Sequence, residues 1–239
     1  MSVLLSIENG VATLTLNRPD SRNALNLDMC DRLISLSGDI QKKEEIKLVL
    51  IRATGPVFCA GADLKERQGM SEAQVRERRM KGFAAYAALE ALPMPVIAVV
   101  QGPAVGSGCE IAGACDFIVA TPAASFRTPE AIRGTVGATQ RLPRILGKRL
   151  AKDMMFTGRI LTANEAREAG LVSRLVSASD LDLTLKDMEK TILDSPSKSL
   201  RLAKRCIDRG VELDPQGALE MEIAAIDEQL ASGSWMGKK

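Results

Sequence analysis

Two glycine-rich segments hold the residues of this chain best suited to chemistry. The first is Phe58-Cys59-Ala60-Gly61-Ala62-Asp63-Leu64-Lys65-Glu66 and the second is Gly102-Pro103-Ala104-Val105-Gly106-Ser107-Gly108-Cys109-Glu110, and each reads as a turn that feeds a helix. Helix N-termini leave backbone N–H groups unpaired at the positive end of the dipole, so two such turns converging make a receptor for a developing oxyanion. Behind them stand two glutamates: Glu110, in the first turn after Ser107, and Glu130. Segments 116–120 and 124–127 read as strands running out and back around Thr121-Pro122-Ala123, so their displacements largely cancel and the two carboxyls can meet. Pro129 fixes the backbone just before Glu130, which suits a side chain that must be aimed. Two carboxyl groups in one site split their pKa values, leaving one ionised as a base and one protonated as an acid.

The absence of histidine sharpens this reading. It removes Ser-His-Asp and Cys-His mechanisms and the imidazole metal ligands, and leaves acid–base work to carboxylates, lysines, cysteines and the single tyrosine, Tyr86. Ser107 sits on a strand-to-helix turn as a hydrolase nucleophile does, but Gly106-Ser107-Gly108 lacks the G-x-S-x-G spacing and has no histidine to activate it. Cys59 and Cys109 read as small packing residues rather than nucleophiles. The five cysteines are an odd number without a C-x-x-C pair, which argues against a disulfide framework or a zinc site and fits reduced thiols in a cytoplasmic protein. Strand-like sequence begins at Val3, leaving no room for a leader, and no apolar run approaches membrane-spanning length. With 32 basic and 30 acidic residues spread along the chain, nothing points to nucleic acid as a partner. The cluster Arg76, Arg78, Arg79 and Lys81 is interrupted by Glu77 and reads as a solvated helix face.

The elements that must position these residues are of the α/β class. Val3–Ile7 and Val11–Leu16 alternate around Glu8-Asn9-Gly10, a hairpin signal. Helical periodicity over 27–42 precedes the buried-strand run Leu48-Val49-Leu50-Ile51; a long helix over 72–92 precedes a second run, Val96–Val100. From about Ser179 the pattern turns to helices only, over 182–193, 197–208 and 215–230, the last capped by Asp214. A catalytic core over 1–178 and a helical module over 179–239 follow from that change.

Taken with Asn17-Arg18-Pro19, Asn23-Ala24-Leu25, Cys115-Asp116, Thr128-Pro129-Glu130, Thr139-Gln140-Arg141-Leu142-Pro143-Arg144 and Gly170-Leu171-Val172, the two loops resemble the crotonase family over nearly the whole chain. That family comprises enoyl-CoA hydratases and isomerases acting on acyl-CoA thioesters. The resemblance implies a ββα spiral core whose C-terminal helical module builds homotrimers or homohexamers. It assigns the oxyanion donors to the backbone N–H groups of Ala62 and Ser107 and the acid–base pair to Glu110 and Glu130. Coenzyme A, part of the substrate rather than a separate cofactor, falls to Arg22 and Ala24, to the strip Ala60, Gly61, Ala62, Asp63, Leu64 and Lys65, and to Ser107. The expected reaction is syn addition of water to a trans-2-enoyl-CoA giving the 3-hydroxyacyl-CoA; a double-bond isomerase, needing one carboxylate, and a non-catalytic acyl-CoA- or RNA-binding protein with a relict site are the rivals. The chain departs from the family at several places. Ser107 and Arg127 stand where glycine is common, and the segment 131–139 is shorter than the usual glycine-rich loop. The chain stops at Ser234–Lys239, where relatives continue in helix, so either a short active-site lid or a fragment of a longer chain is expected. Arg127 or Arg133 could serve a dicarboxylic acyl chain or pair with nearby acids.

Overall fold

The computed structural model describes residues 1–233; the expectation of a short lid at 234–239 lies outside the described residues. The chain opens with a hairpin of β1 (Val3–Glu8) and β2 (Val11–Leu16). Its turn residues Asn9 and Gly10 both adopt positive φ, 49° and 84°, matching the twist of the paired strands. A 3-10 turn at Pro19–Ser21 leads to α1 (Leu27–Gln41), where the Asn26 side chain accepts from the Met29 N–H. Such a cap contributes about 1 kcal/mol. Then come β3 (Leu48–Ala53), α2 (Glu72–Glu90), with a Ser71/Gln74 capping box, and β4 (Val96–Val100). The site-bearing stretch contains β5 (Pro103–Val105), α3 (Ser107–Gly113), β6 (Phe117–Ala120) and β7 (Ser125–Arg127). After a 3-10 turn at Ala131–Arg133 follow α4 (Arg141–Thr157), β8 (Leu161–Thr162), α5 (Ala163–Glu168) and β9 (Arg174–Leu175). Three helices close the chain: α6 (Leu181–Asp194), α7 (Ser197–Gly210) and α8 (Pro215–Ala231), the last capped by the Asp214 side chain.

The main sheet has the order β1-β2-β3-β4-β6-β9 and is parallel everywhere except the opening hairpin. Its central strands are continuously apolar because both faces are covered. Val49, Ile51, Ala98 and Val100 join Met29, Leu33 and Ile40 of α1 in one core, while Leu48, Leu50, Ile97 and Val99 meet Leu181, Leu185 and Met188 of α6 in another. The helical run from Ser179 thus begins with a helix that roofs the sheet, and only α7 and α8 pack on each other beyond it. Among the described residues no helix is long and apolar enough to cross a membrane.

Two expectations about the site loops need correction. The strands before and after Thr121 both form but belong to different sheets, β6 to the large one and β7 to a small sheet ordered β5-β7-β8. The loops meet instead through the parallel pairing of β5 with β7, which sets Val105 opposite Arg127 and delivers Ser107 and Glu130 from the same end. The first glycine-rich segment also feeds no helix directly: turns occupy 64–69 and α2 starts at Glu72. Four residues between the end of the segment and Ser71 absorb the change of direction, so Ala62 is held by a bridge to Leu25 rather than by a helix start.

Candidate active site

Short parallel bridges, Leu25 to Ala62 and Cys59 to Ala104, extend the small sheet into a bed of adjacent backbones. Buried polar side chains fix it. Asn23 is fully buried and donates to the carbonyls of Thr54 and Val57 while its Oδ1 accepts from the Arg18 N–H. Arg18 in turn pairs with Asp63 at 2.9 Å. Burial works to raise the Asp63 pKa, but hydrogen bonds from Arg18 and from the backbone of Glu66 and Lys65 outweigh it and hold the carboxyl below its ordinary range. Asp63 is therefore spent on structure. Beside it the Ala60 N–H donates to the Arg22 carbonyl, Leu25 N–H to Gly61, and Asp63 N–H to Leu25. The proposed coenzyme strip, Arg22, Ala24 and Ala60 to Lys65, is thus one contiguous ribbon, with Leu64 and Lys65 exposed.

At the end of this bed a cavity of about 90 Å³ is lined by Ala62, Ser107, Glu110 and Glu130 together. The Ala62 and Ser107 N–H groups have no acceptor among the described residues; Ser107 is the first residue of α3, where no intrahelical partner exists. Gly106, at φ 51°, makes room for the second carboxyl: a Cβ there would lie 2.4 Å from Glu130 Oε1. Glu110 Oε1 and Glu130 Oε2 are buried and lack a hydrogen-bond partner among the described residues. Buried polar atoms are normally paired, so two orphaned carboxyl oxygens in one cavity mark a place built for something else to bind.

The two glutamates differ in company. Glu110 Oε2 accepts from Arg141 at 2.8 Å, and Arg141 also reaches Glu90 at 2.6 Å and lies over the Tyr86 ring, 5.8 Å from its centroid. Burial raises the Glu110 pKa, Arg141 opposes that, and Glu90 adds to it. Burial raises the Glu130 pKa too; a hydrogen bond from its own backbone opposes this, repulsion from Glu110 reinforces it, and weaker attraction from Arg133 and Arg79 does not overturn it. The other acid–base candidates drop out. Burial pushes the Tyr86 hydroxyl far above its ordinary value against a smaller pull from Ser107, drives the Cys109 thiol up, and puts the Cys59 thiol at about 12.

The family model for enoyl-CoA hydratase/isomerase matches residues 6–234. The chain belongs to that family. It is 37% identical over 231 residues to the short-chain-enoyl-CoA hydratase of Clostridium acetobutylicum, covering 95% of this chain and 88% of that one. It is 35% identical to the enoyl-CoA isomerase/hydratase fer4 of Mycosarcoma maydis, covering 93% and 86%. The crystal structure of enoyl-CoA hydratase from Bacillus anthracis superposes with a TM-score of 0.92 at 34% identity, covering 95% of this chain and 90% of that one. The fold is accordingly the crotonase fold.

Several residues at the cavity escaped sequence reasoning. Arg141 lay inside a quoted motif without a role, and its spacing from Glu110 gave no hint of their contact. The cluster expected on a solvated face divides instead: Arg78 is buried on Glu66 at 2.8 Å, and Arg79 lines the cavity with Arg67 and Phe83. Arg127 is turned to the end of α4, its Nε donating to the Gly158 carbonyl at 2.7 Å, and neither it nor Arg133 lines the cavity.

Proposed function

We propose that the chain is an enoyl-CoA hydratase that adds water reversibly to a trans-2-enoyl-CoA to give the 3-hydroxyacyl-CoA. The observation that carries this reading is the pair of buried carboxyls, each with an unpartnered oxygen, in one cavity with two unpaired backbone N–H groups. The thioester oxygen lies against the Ala62 and Ser107 N–H groups, which hold the negative charge that gathers there as the enolate forms; each donor supplies roughly 3–4 kcal/mol. Glu110, kept ionised by Arg141, takes a proton from a water held at Oε1 as that oxygen attacks Cβ. Glu130, protonated beside an ionised neighbour, delivers its proton to Cα. The hydroxyacyl product leaves, and the proton gained by Glu110 returns to Glu130 through solvent.

Coenzyme A lies along Ala24 and Ala60–Lys65, with Arg22 near the phosphates. Exposed apolar side chains on the last two helices, among them Ile207, Leu219, Ile223, Ile226 and Leu230, support assembly through α7 and α8 into homotrimers or hexamers. The five free cysteines fit a cytoplasmic setting, and the balanced charge gives nucleic acid no surface. The test is a panel of short, branched and carboxylated enoyl-CoAs followed by loss of conjugated-thioester absorbance and by product mass. Gain of one water is the expected result; an absorbance change at constant mass would assign a double-bond isomerase, and no turnover across the panel would leave a binding protein.

A further inference from the structure

We propose that the acyl chain of the substrate bears a carboxylate, received by Arg67 and Arg79 where they line the cavity. The inference rests on the reading of the cavity as an enoyl-CoA site and names its substrate class. Three arginines line that small space together with the two glutamates. Arg78 is neutralised by Glu66. Arg79 is half-buried and donates only to a neutral acceptor, the Val136 carbonyl, and Arg67 is half-buried with no side-chain hydrogen bond or ion pair among the described residues. The Glu110 charge is already matched by Arg141. Two guanidinium groups therefore meet the cavity without an ion pair among the described residues, Arg79 feeling Glu130 only at a distance, in a space whose only large apolar side chains are Phe83, Tyr86 and Val136.

A wall made to receive an alkyl tail would be apolar, because an aliphatic chain gains nothing from a guanidinium and strips it of water. A carboxylate gains charge-assisted, fork-shaped hydrogen bonds from it. Arg79 has donors to spare, since one of its five N–H groups serves Val136. The phosphates of coenzyme A are not the ligand these residues await: the cavity holds both oxyanion donors, hence the thioester itself, and the whole pantetheine arm separates thioester from phosphate.

The test compares an enoyl-CoA ending in a carboxylate with the same compound ending in the isosteric primary amide, on the wild type and on Arg67→Gln, Arg79→Gln and the double variant. The wild type should favour the carboxylate in kcat/KM by about tenfold to a hundredfold, in line with one or two charge-assisted hydrogen bonds. The double variant should bring the ratio close to one, and Arg79→Lys should keep part of it. Hydration of the amide and of unsubstituted enoyl-CoAs as fast as the carboxylate would overturn the inference and leave the hydratase reading standing. Failure to turn over any enoyl-CoA, with no binding of a saturated dicarboxylic acyl-CoA by calorimetry, would overturn both.

Discussion

The side of the cavity contributed by α3 and the side contributed by the segment after β7 present the same functional group in opposite settings. On the first, Glu110 is clasped by a guanidinium that is itself braced by Glu90 and seated over Tyr86. On the second, Glu130 projects past Gly106 with no hydrogen bond to any cation among the described residues. Burial opposes charge on both; Glu110 is answered by a direct ion pair with Arg141, whereas Glu130 has only its own backbone N–H and the more distant Arg133 and Arg79. On the proposed mechanism, this difference in surroundings is what makes Glu110 the base and Glu130 the acid.

The severest way to break this comparison is to remove basicity while keeping shape. Glu110→Gln and Glu130→Gln should each lose at least about a thousandfold in kcat on an identified enoyl-CoA, and the double variant should be hardly slower than either, because the pair acts as a unit on one water. Steady-state rates on variants with unchanged circular dichroism test this; independent, additive losses would contradict the shared role.

Removing the brace should cost less. Arg141→Met should lower kcat/KM by about tenfold to a hundredfold and, by deleting the attraction that opposes burial, move the acid limb of the pH profile to higher pH. Arg141→Lys should recover part of both. Glu90→Gln, which deletes a repulsion on Glu110, should move the same limb slightly to lower pH with only a small change in rate. Equal profiles for wild type and Arg141→Met would show that Arg141 only packs.

The smallest expected effect is on stability. Glu130 has a folded-state pKa above its ordinary value of 4.5, so its contribution to stability is fully present below that value and is lost as pH rises through the folded pKa. Glu130→Gln carries no such penalty. Its Tm advantage over wild type should therefore be nil in acid and grow as pH rises above the ordinary glutamate range, by about 2–4 °C for each kcal/mol relieved. Differential scanning calorimetry across that range decides it, and a constant offset would deny the desolvation cost.

Much of the fold was legible because local signals and burial agree. Asn9-Gly10, the doubly buried runs at Leu48 and Val96 and the Asp214 cap are each decided within a few residues. The candidate site was legible as residues and not as geometry. Gly61, Gly106 and the two glutamates stand out by type, but the agent that joins their loops is the three-residue strand β5, too short to show a period of its own. Helix α4 was missed because Pro143 and Gly147 interrupt its pattern; Gly147 sits at φ 75° within it. Arg141 and Arg79 were unreadable for the same physical reason, since a long cation declares its role only through partners that tertiary packing brings to it. Asn23 and Arg18 show the converse: sequence made them prominent as part of a motif, and their work is to hold the ribbon beside Ala62 in place.

The most direct test of the division of labour reads the protons themselves. Infrared difference spectra of the protein with 13C-labelled glutamate carboxyls, taken at neutral pH, should contain the band of a buried protonated carboxylic acid. That band should vanish in Glu130→Gln and persist in Glu110→Gln. A protonated band that disappears with Glu110 instead, or no protonated carboxyl at all, would contradict the assignment of base and acid.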